Sequence, residues 1–214
     1  MSEPDKHRVS DGELLADEPA ALPVRRSVTA FRGGVVDMRT DHVLMPDGDL
    51  AVRDVLVHPG SVGVLVLDEG ERVLVLRQYR HPVGRRLWEL PAGLLDFPGE
   101  APLAAAQREL AEEAHLSARQ WHVLLDAYTS PGISDEAVRV YLAREATPLP
   151  GERPPGRHEE ADLEARWVPM DDLLAGVAAG RLHNPLLVMS VPLLRTMLDS
   201  GGVRTLRAGD FAGN

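Results

Sequence analysis

The 214-residue chain has no cysteine, a single lysine and few aromatic residues, which make up 4% of it. Without cysteine there is no disulfide, no thiolate nucleophile and no zinc site built on sulfur. The longest apolar runs, residues 62–67 and 73–76, are strand-sized and far shorter than the roughly 20 residues of a membrane span. The N-terminus shows no secretory apolar segment, so we expect a cytoplasmic protein.

The acidic charge of the chain argues against two classes of partner. Its formal net charge is −10, and such a surface disfavours binding to nucleic acid or to an anionic membrane. The eight histidines show no spacing typical of a metal site. With 44% apolar residues, the chain is long enough to build one substantial core.

Apolar and turn-forming segments alternate along the chain and predict one main domain with appendages. Residues 1–26 are polar and acidic and predict a flexible arm, while residues 27–59 predict a small antiparallel β unit. We expect residues 60–200 to form the main α/β domain and residues 201–214 to form a loose tail. Within that domain, residues 61–67 and 72–80 predict a hairpin around a turn at residues 68–70.

Three helices are expected after these strands. The first covers residues 101–115, with Pro102 in its first turn, where a missing N–H costs nothing. Asp171 is the predicted cap of the second helix, and Asn184 followed by Pro185 predicts the start of the third. Pro192 is expected to kink or interrupt that third helix.

The first helix carries three carboxylates close together. Successive helical residues turn by about 100°, so Glu109, Glu112 and Glu113 fall on one side and are expected to converge. Like charges at this spacing destabilise a helix, and hard oxygen ligands suit Mg²⁺ or Mn²⁺. For three glutamates taken alone, the alternative is a solvated acidic face.

The surroundings of these glutamates favour the metal site. Residues 93–116 resemble the Nudix box, the motif of hydrolases that act on nucleoside diphosphates linked to another moiety. The matching residues are Gly93, Glu100, Arg108, Glu109, Leu110, Glu112, Glu113 and Leu116. Two positions depart from the family pattern. The loop of residues 94–99 has six residues where the family has five, and His115 stands where the family has glycine. A turn at Pro98 and Gly99 is expected to absorb the extra residue.

The resemblance implies a fold and a set of ligands. The Nudix fold is an α/β/α sandwich around a mixed sheet, and this α/β fold class would cover about residues 28–198. In the family, metal ions are held by box glutamates and by the carbonyl just before the first glycine, which implies Glu109, Glu112, Glu113 and the Ala92 carbonyl. The resemblance further implies that Arg108 orients Glu112 or pairs with Glu100, and that Glu112 and Arg108 take part in catalysis.

Three other segments resemble the ADP-ribose pyrophosphatase subgroup, at residues 77–84, 88–93 and 130–136. This subgroup implies a general base on an acidic loop, with Glu159 as first choice and Glu160 as second. It implies that Arg80 contacts the diphosphate and that Glu136 hydrogen-bonds the terminal ribose. Subgroup members are dimers that exchange N-terminal strands, so we expect a homodimer in which Arg53 reaches the partner's nucleotide.

Two alternatives remain open from the sequence. The chain could cleave another nucleoside diphosphate compound, such as a nucleotide sugar, because the box does not contact the distal group. It could also be a Nudix-fold sensor that binds a nucleotide without hydrolysis. Such sensors usually lose box carboxylates, which this chain keeps.

Overall fold

The computed structural model describes residues 15–153 and 163–201. The strands are β1 (Val24–Arg32), β2 (Asp37–Leu44), β3 (Leu50–Val57), β4 (Ser61–Val66), β5 (Arg72–Arg80), β6 (Arg85–Glu89), β7 (Ala92–Leu94), β8 (Leu116–Tyr128), β9 (Ala137–Pro148) and β10 (Glu164–Pro169). The α-helices are α1 (Pro102–Ala114), α2 (Met170–Ala178) and α3 (Pro185–Asp199). A 3-10 turn, His81–Val83, joins β5 to β6.

The strands form three sheets. The N-terminal sheet has the order β1-β2-β3, a second has β10-β5-β6, and the third has β7-β4-β9-β8. The third sheet is mixed, because β4 runs parallel to β9 and antiparallel to β7. The predicted β4–β5 hairpin is present only at its turn, where the Asp68 N–H donates to the Arg72 carbonyl and an isolated antiparallel bridge joins Leu67 to Val73. Beyond the turn the prediction is wrong, because the two strands lie in different sheets.

The side chains of β4 point alternately to the two faces of its sheet, and helices pack on both faces. Val62, Val64 and Val66 are buried against α1, together with Ala105, Ala106 and Leu110 of that helix. Leu65 points to the other side, into a core that includes residues of α2 and α3. Because a strand turns successive side chains to opposite faces, one apolar strand serves both cores. The result is the expected α/β/α sandwich.

The box helix begins and ends much as predicted. Pro102 occupies its first turn, and His115 ends it in the left-handed conformation with φ of 54°. The His115 backbone N–H donates to the carbonyl of Ala111, which satisfies an end group of the helix. A histidine can therefore take the place of the family glycine here.

The two C-terminal helices differ in how well their starts were predicted. Asp171 is not a cap, because α2 begins at Met170 and its N-cap position is Pro169. Asn184 does cap α3, since its side chain accepts a hydrogen bond from the Leu187 N–H. This helix continues through Pro192 rather than stopping there. In the described part of the chain, no helix is both long and apolar enough to span a membrane.

The N-terminal sheet touches the main domain mainly through the end of β3. The Leu56 N–H donates to the Ile133 carbonyl at 2.8 Å, and the His58 N–H donates to Asp135 Oδ1 at 2.8 Å. All nine residues of β1 are exposed in the single chain. Strand β1 begins at Val24, three residues before the boundary expected for the flexible arm.

Candidate active site

The site begins where α1 lies against the short strand β7. Glu113, in the last turn of the helix, is only 5% exposed. Its Oε2 accepts a hydrogen bond of 2.9 Å from the backbone N–H of Ala92. This bond fixes the carboxylate beside the residue whose carbonyl the sequence predicts as a metal ligand.

Glu109 fills the space beside the next residue of β7. A Cβ built on Gly93 would lie 2.0 Å from Glu109 Oε1 and 2.1 Å from its Cδ. Any residue larger than glycine would therefore occupy the volume of the carboxylate. The first glycine of the box is needed because it leaves room for Glu109 against the strand.

Arg108 is paired with three of the carboxylates around the helix. Its guanidinium donates to both oxygens of Glu100, at 3.1 and 3.0 Å, and to Glu109 Oε1 at 2.6 Å. A longer bond of 3.3 Å reaches Glu112. Arg108 thus contacts both of its predicted partners, and its bonds to Glu100 are shorter than its bond to Glu112. Phe97, which sequence reasoning missed, covers the guanidinium at 4.7 Å from its ring centroid.

These contacts change the acid–base properties of the pair. The hydrogen bonds from Arg108 hold the pKa of Glu100 below its ordinary value of 4.5. Hydrogen bonding to Glu100 and then to Glu109 raises the pKa of Arg108 further, although burial acts in the opposite direction. Both groups therefore stay ionised throughout the neutral range.

The extra residue of the 94–99 loop does not separate the helix from β7. The Glu100 N–H donates to the Phe97 carbonyl at 3.1 Å, and Gly99 has a φ of +81°. A tight turn at the far end of the loop thus accommodates the longer connection, as expected from Pro98 and Gly99. The contacts of Glu109 and Glu113 with β7 are kept.

The three box glutamates do not form a ready-made cluster. Within residues 15–153 and 163–201, no three His, Cys, Asp or Glu side chains surround a common metal position. Glu109 and Glu113 face β7, whereas the Glu112 side chain is 58% exposed and turns to Arg108. The expected convergence of all three is therefore wrong for this structure. The two inner carboxylates and the adjacent main chain still provide the hard oxygen donors that Mg²⁺ and Mn²⁺ prefer.

This combination of fold and box can be compared with known proteins. The family model of the NUDIX domain matches residues 57–186, more than half of the chain. The chain belongs to the Nudix family. It is a Nudix diphosphate hydrolase, and hydrolases of this family generally use divalent metal ions.

Relatives and solved structures agree with this assignment. An ADP-ribose pyrophosphatase of Mycobacterium tuberculosis is 44% identical over 77% of this chain and 79% of its own length. An ADP-ribose pyrophosphatase of Bacillus subtilis is 33% identical over 77% of this chain and 88% of its own length. A solved structure described as an ADP compounds hydrolase matches with a TM-score of 0.71 and 17% identity, over 88% of this chain and 100% of its own. That last match supports the Nudix fold alone.

Arg80, the predicted diphosphate contact, lies at the end of β5 and pairs with Glu89. Its guanidinium donates to Glu89 Oε2 at 2.6 Å, and its Nε lies 3.1 Å from Oε1. Glu89 is 2% exposed, so it is a buried acceptor for a half-exposed arginine. Sequence reasoning missed this residue, although a lone carboxylate in the apolar run at residues 87–90 was a signal.

Glu136, the predicted ribose ligand, lies in a polar network at the start of β9. It accepts hydrogen bonds from the hydroxyls of Ser61, at 3.1 Å, and Thr129. His58 Nε2 lies 3.8 Å from Glu136 Oε1, and the His58 side chain is 11% exposed. His58 was not predicted, because neighbours from β4 and the preceding loop cannot be inferred from spacing.

Three predicted residues remain, and the structure describes one of them. Arg53 lies on β3, where its guanidinium donates to its neighbour's carbonyl, that of Val52, at 2.9 Å. Glu159 and Glu160, the predicted bases, lie outside the described residues. Their assignment stays a prediction.

Proposed function

We propose that the chain hydrolyses the diphosphate of ADP-ribose to AMP and ribose 5-phosphate, with Mg²⁺ or Mn²⁺ as cofactor. The observation that carries this proposal is the contact of Glu109 and Glu113 with the main chain of β7 at Ala92 and Gly93. The choice of substrate is supported by two relatives named ADP-ribose pyrophosphatase.

In this proposal the metal is held by Glu109, Glu113 and the Ala92 carbonyl, with Glu112 completing the set from the exposed side. When bound there, divalent ions would neutralise the diphosphate and stabilise the leaving phosphate. Arg108 keeps Glu109 oriented through its 2.6 Å hydrogen bond, while its pair with Glu100 fixes the guanidinium. Without a cation, the same carboxylates would repel the substrate.

The protein residues have three further tasks. Arg80 contacts the diphosphate from a position set by Glu89, and Glu136 hydrogen-bonds the terminal ribose. Glu159, or else Glu160, takes the proton of the attacking water. The water oxygen bonds to one phosphorus, the bond from that phosphorus to the bridging oxygen breaks, and the other phosphate leaves with the bridging oxygen.

One experiment tests both activity and the site of attack. The full chain is incubated with ADP-ribose and Mg²⁺ in ¹⁸O-labelled water, and AMP and ribose 5-phosphate are analysed by mass spectrometry. We expect the label in one product only, and no turnover in excess chelator. Appreciable turnover in chelator contradicts the metal-dependent mechanism. Faster hydrolysis of a nucleotide sugar in a parallel panel contradicts the choice of ADP-ribose.

The base is tested by Glu159→Gln and Glu160→Gln, measured side by side. General bases typically contribute 10²-fold or more, so the variant of the true base should keep about 1% of turnover or less. If both variants keep more than about a tenth, neither residue is the base.

We also propose that two copies form a dimer through the N-terminal sheet. Its exposed apolar side chains in the single chain include Val24, Val28, Phe31, Leu50 and Val52, with Phe31 61% exposed. Such an exposed apolar sheet is a typical dimer interface. Light scattering after size exclusion should give about twice the chain mass, and Phe31→Glu should shift the mass toward that of the monomer.

In such a dimer, Arg53 would meet the partner's substrate, so Arg53→Gln should raise the KM for ADP-ribose.

A further inference from the structure

A groove between strands β5 and β6 and the α2–α3 loop is rich in arginine. It encloses about 290 Å³ and is lined by Arg77, Arg85, Arg86, Leu87, Trp88, Arg181, Leu182 and His183. No aspartate or glutamate is among these described lining residues. Trp88 packs against the core that contains α2 and α3, whereas α1 packs in the other core. The groove therefore lies on the face of the sheets opposite the box helix.

The charge of this groove opposes that of the whole chain. Four arginines line it, Arg77, Arg85, Arg86 and Arg181, in a chain with a net charge of −10. Within the described residues, Arg85 and Arg181 make no side-chain hydrogen bond or ion pair. Like charges that line one groove repel each other, and salt screens such repulsion only beyond roughly 8 Å at physiological ionic strength. A bound anion would relieve that repulsion.

One wall of the groove is fixed by Trp88. The guanidinium carbon of Arg77 lies 5.8 Å from the Trp88 ring centroid, and that of Arg166 lies 5.1 Å from it. Glu164 pairs with both arginines, at 3.5 Å to Arg77. The indole and this carboxylate together hold the Arg77 guanidinium at the edge of the groove.

The opposite wall is fixed by the short α2–α3 loop. The Arg181 N–H donates to the Gly176 carbonyl at 2.9 Å, and the Asn184 side chain caps α3. Between them, Leu182 packs into the core. With Leu182 turned inward, the exposed residues Arg181 and His183 are held beside it. Such a preorganised wall lowers the entropy cost of binding.

We propose that this groove is a second binding site, for a small phosphate-bearing anion. Guanidinium groups bind phosphate oxygens through paired N–H donors, and several of them converge here. A volume near 290 Å³ is at the lower end of small-molecule sites and fits a phosphorylated metabolite rather than a macromolecular surface. Trp88, a half-buried lining residue, offers an apolar surface to a ring carried by the same molecule.

The test is calorimetric titration of the full chain with inorganic diphosphate and, separately, with AMP, in chelator so that the box carboxylates hold no metal. Arg181→Gln and Arg85→Gln remove one cation each from the groove. Arg144→Gln is the matched control, because it makes the same charge change in a different cavity that also contains Asp68, Glu69 and Glu145. Arg85 and Arg181 are exposed and Arg144 is half-buried, and circular dichroism checks that each variant folds.

We expect saturable binding to the wild-type chain, weakened about tenfold by either groove variant and unchanged by the control. Equal affinity for diphosphate and AMP makes the phosphoryl group the whole ligand, while tighter AMP binding adds the nucleoside. The proposal is overturned if the wild-type chain shows no saturable binding, if Arg144→Gln weakens it as much, or if both groove variants bind as well as wild type. The last result would assign the anion to the region of Arg80.

Discussion

Replacing Gly93 by alanine is the sharpest test of the box geometry. The new methyl carbon would lie 2.0 Å from Glu109 Oε1 and 2.5 Å from its Cγ. Carbon and oxygen atoms that are not bonded stay more than about 3 Å apart, so the carboxylate must move by at least about 1 Å. Gly93 does not have a positive φ, so alanine brings no backbone strain of its own. The effect is therefore a displacement of one side chain.

A displacement of about 1 Å at a reacting centre can cost on the order of 10²-fold in rate. We therefore expect Gly93→Ala to fold normally, by circular dichroism and thermal melting, and to lose about 99% of kcat for ADP-ribose with Mg²⁺. The matched control is Gly70→Ala, whose added carbon would make ordinary contacts at 3.5 and 3.8 Å. The reasoning is refuted if Gly93→Ala keeps more than about a third of the control's kcat while remaining folded.

Three further outcomes follow from the ion pairs. Arg108→Lys should lower kcat about tenfold or more, because an ammonium cannot replace a planar guanidinium that is bonded to Glu100 and Glu109 together. Arg108→Gln should have a kcat no higher than that of Arg108→Lys. Arg108 lowers the pKa of Glu100, so their pair stabilises the fold fully when the pH is above the ordinary pKa of 4.5. This stabilisation is lost as the pH falls through the lower pKa of the folded state. The Tm difference between wild type and Glu100→Gln should then hold from about pH 7 to 5 and shrink below about pH 4; a constant difference contradicts it. Arg139, 7% exposed, donates to both oxygens of Asp126, so Arg139→Gln should cost about 3 kcal/mol in urea unfolding, and a cost under about 1 kcal/mol contradicts this.

Local patterns predicted much of the fold. The end of α1 at His115 and the Asn184-Pro185 start of α3 follow from backbone conformations and caps within a few residues, and both are observed. The β4–β5 hairpin was predicted from equally local signals, and its turn is observed, but the two strands do not pair beyond the Leu67–Val73 bridge. Strand β4 instead pairs with β9, more than 70 residues later, and this long-range pairing leaves no trace in the turn at residues 68–70.

The candidate site shows the same division. The helical wheel predicted that the three glutamates would converge, but it could not show that Glu109 and Glu113 would face β7 while Glu112 would turn to Arg108. Glu89 and His58 were missed because their partners, Arg80 and Glu136, come from other strands or from far along the chain. Side chains whose role depends on tertiary neighbours are the ones that spacing cannot identify.

The position of the box carboxylates is a consequence of the core beneath them. Ala105, Ala106 and Leu110 are fully buried against β4 and β9, and two small residues in succession let the helix axis approach the sheet. Because the helix lies close to the sheet, Glu113 reaches the Ala92 N–H and Glu109 reaches Gly93. The loop of residues 94–99 only connects the two elements, so one extra residue in it changes the path of the chain and not the distance between helix and strand. The family spacing can therefore vary at the loop while the apolar face of α1 keeps the site.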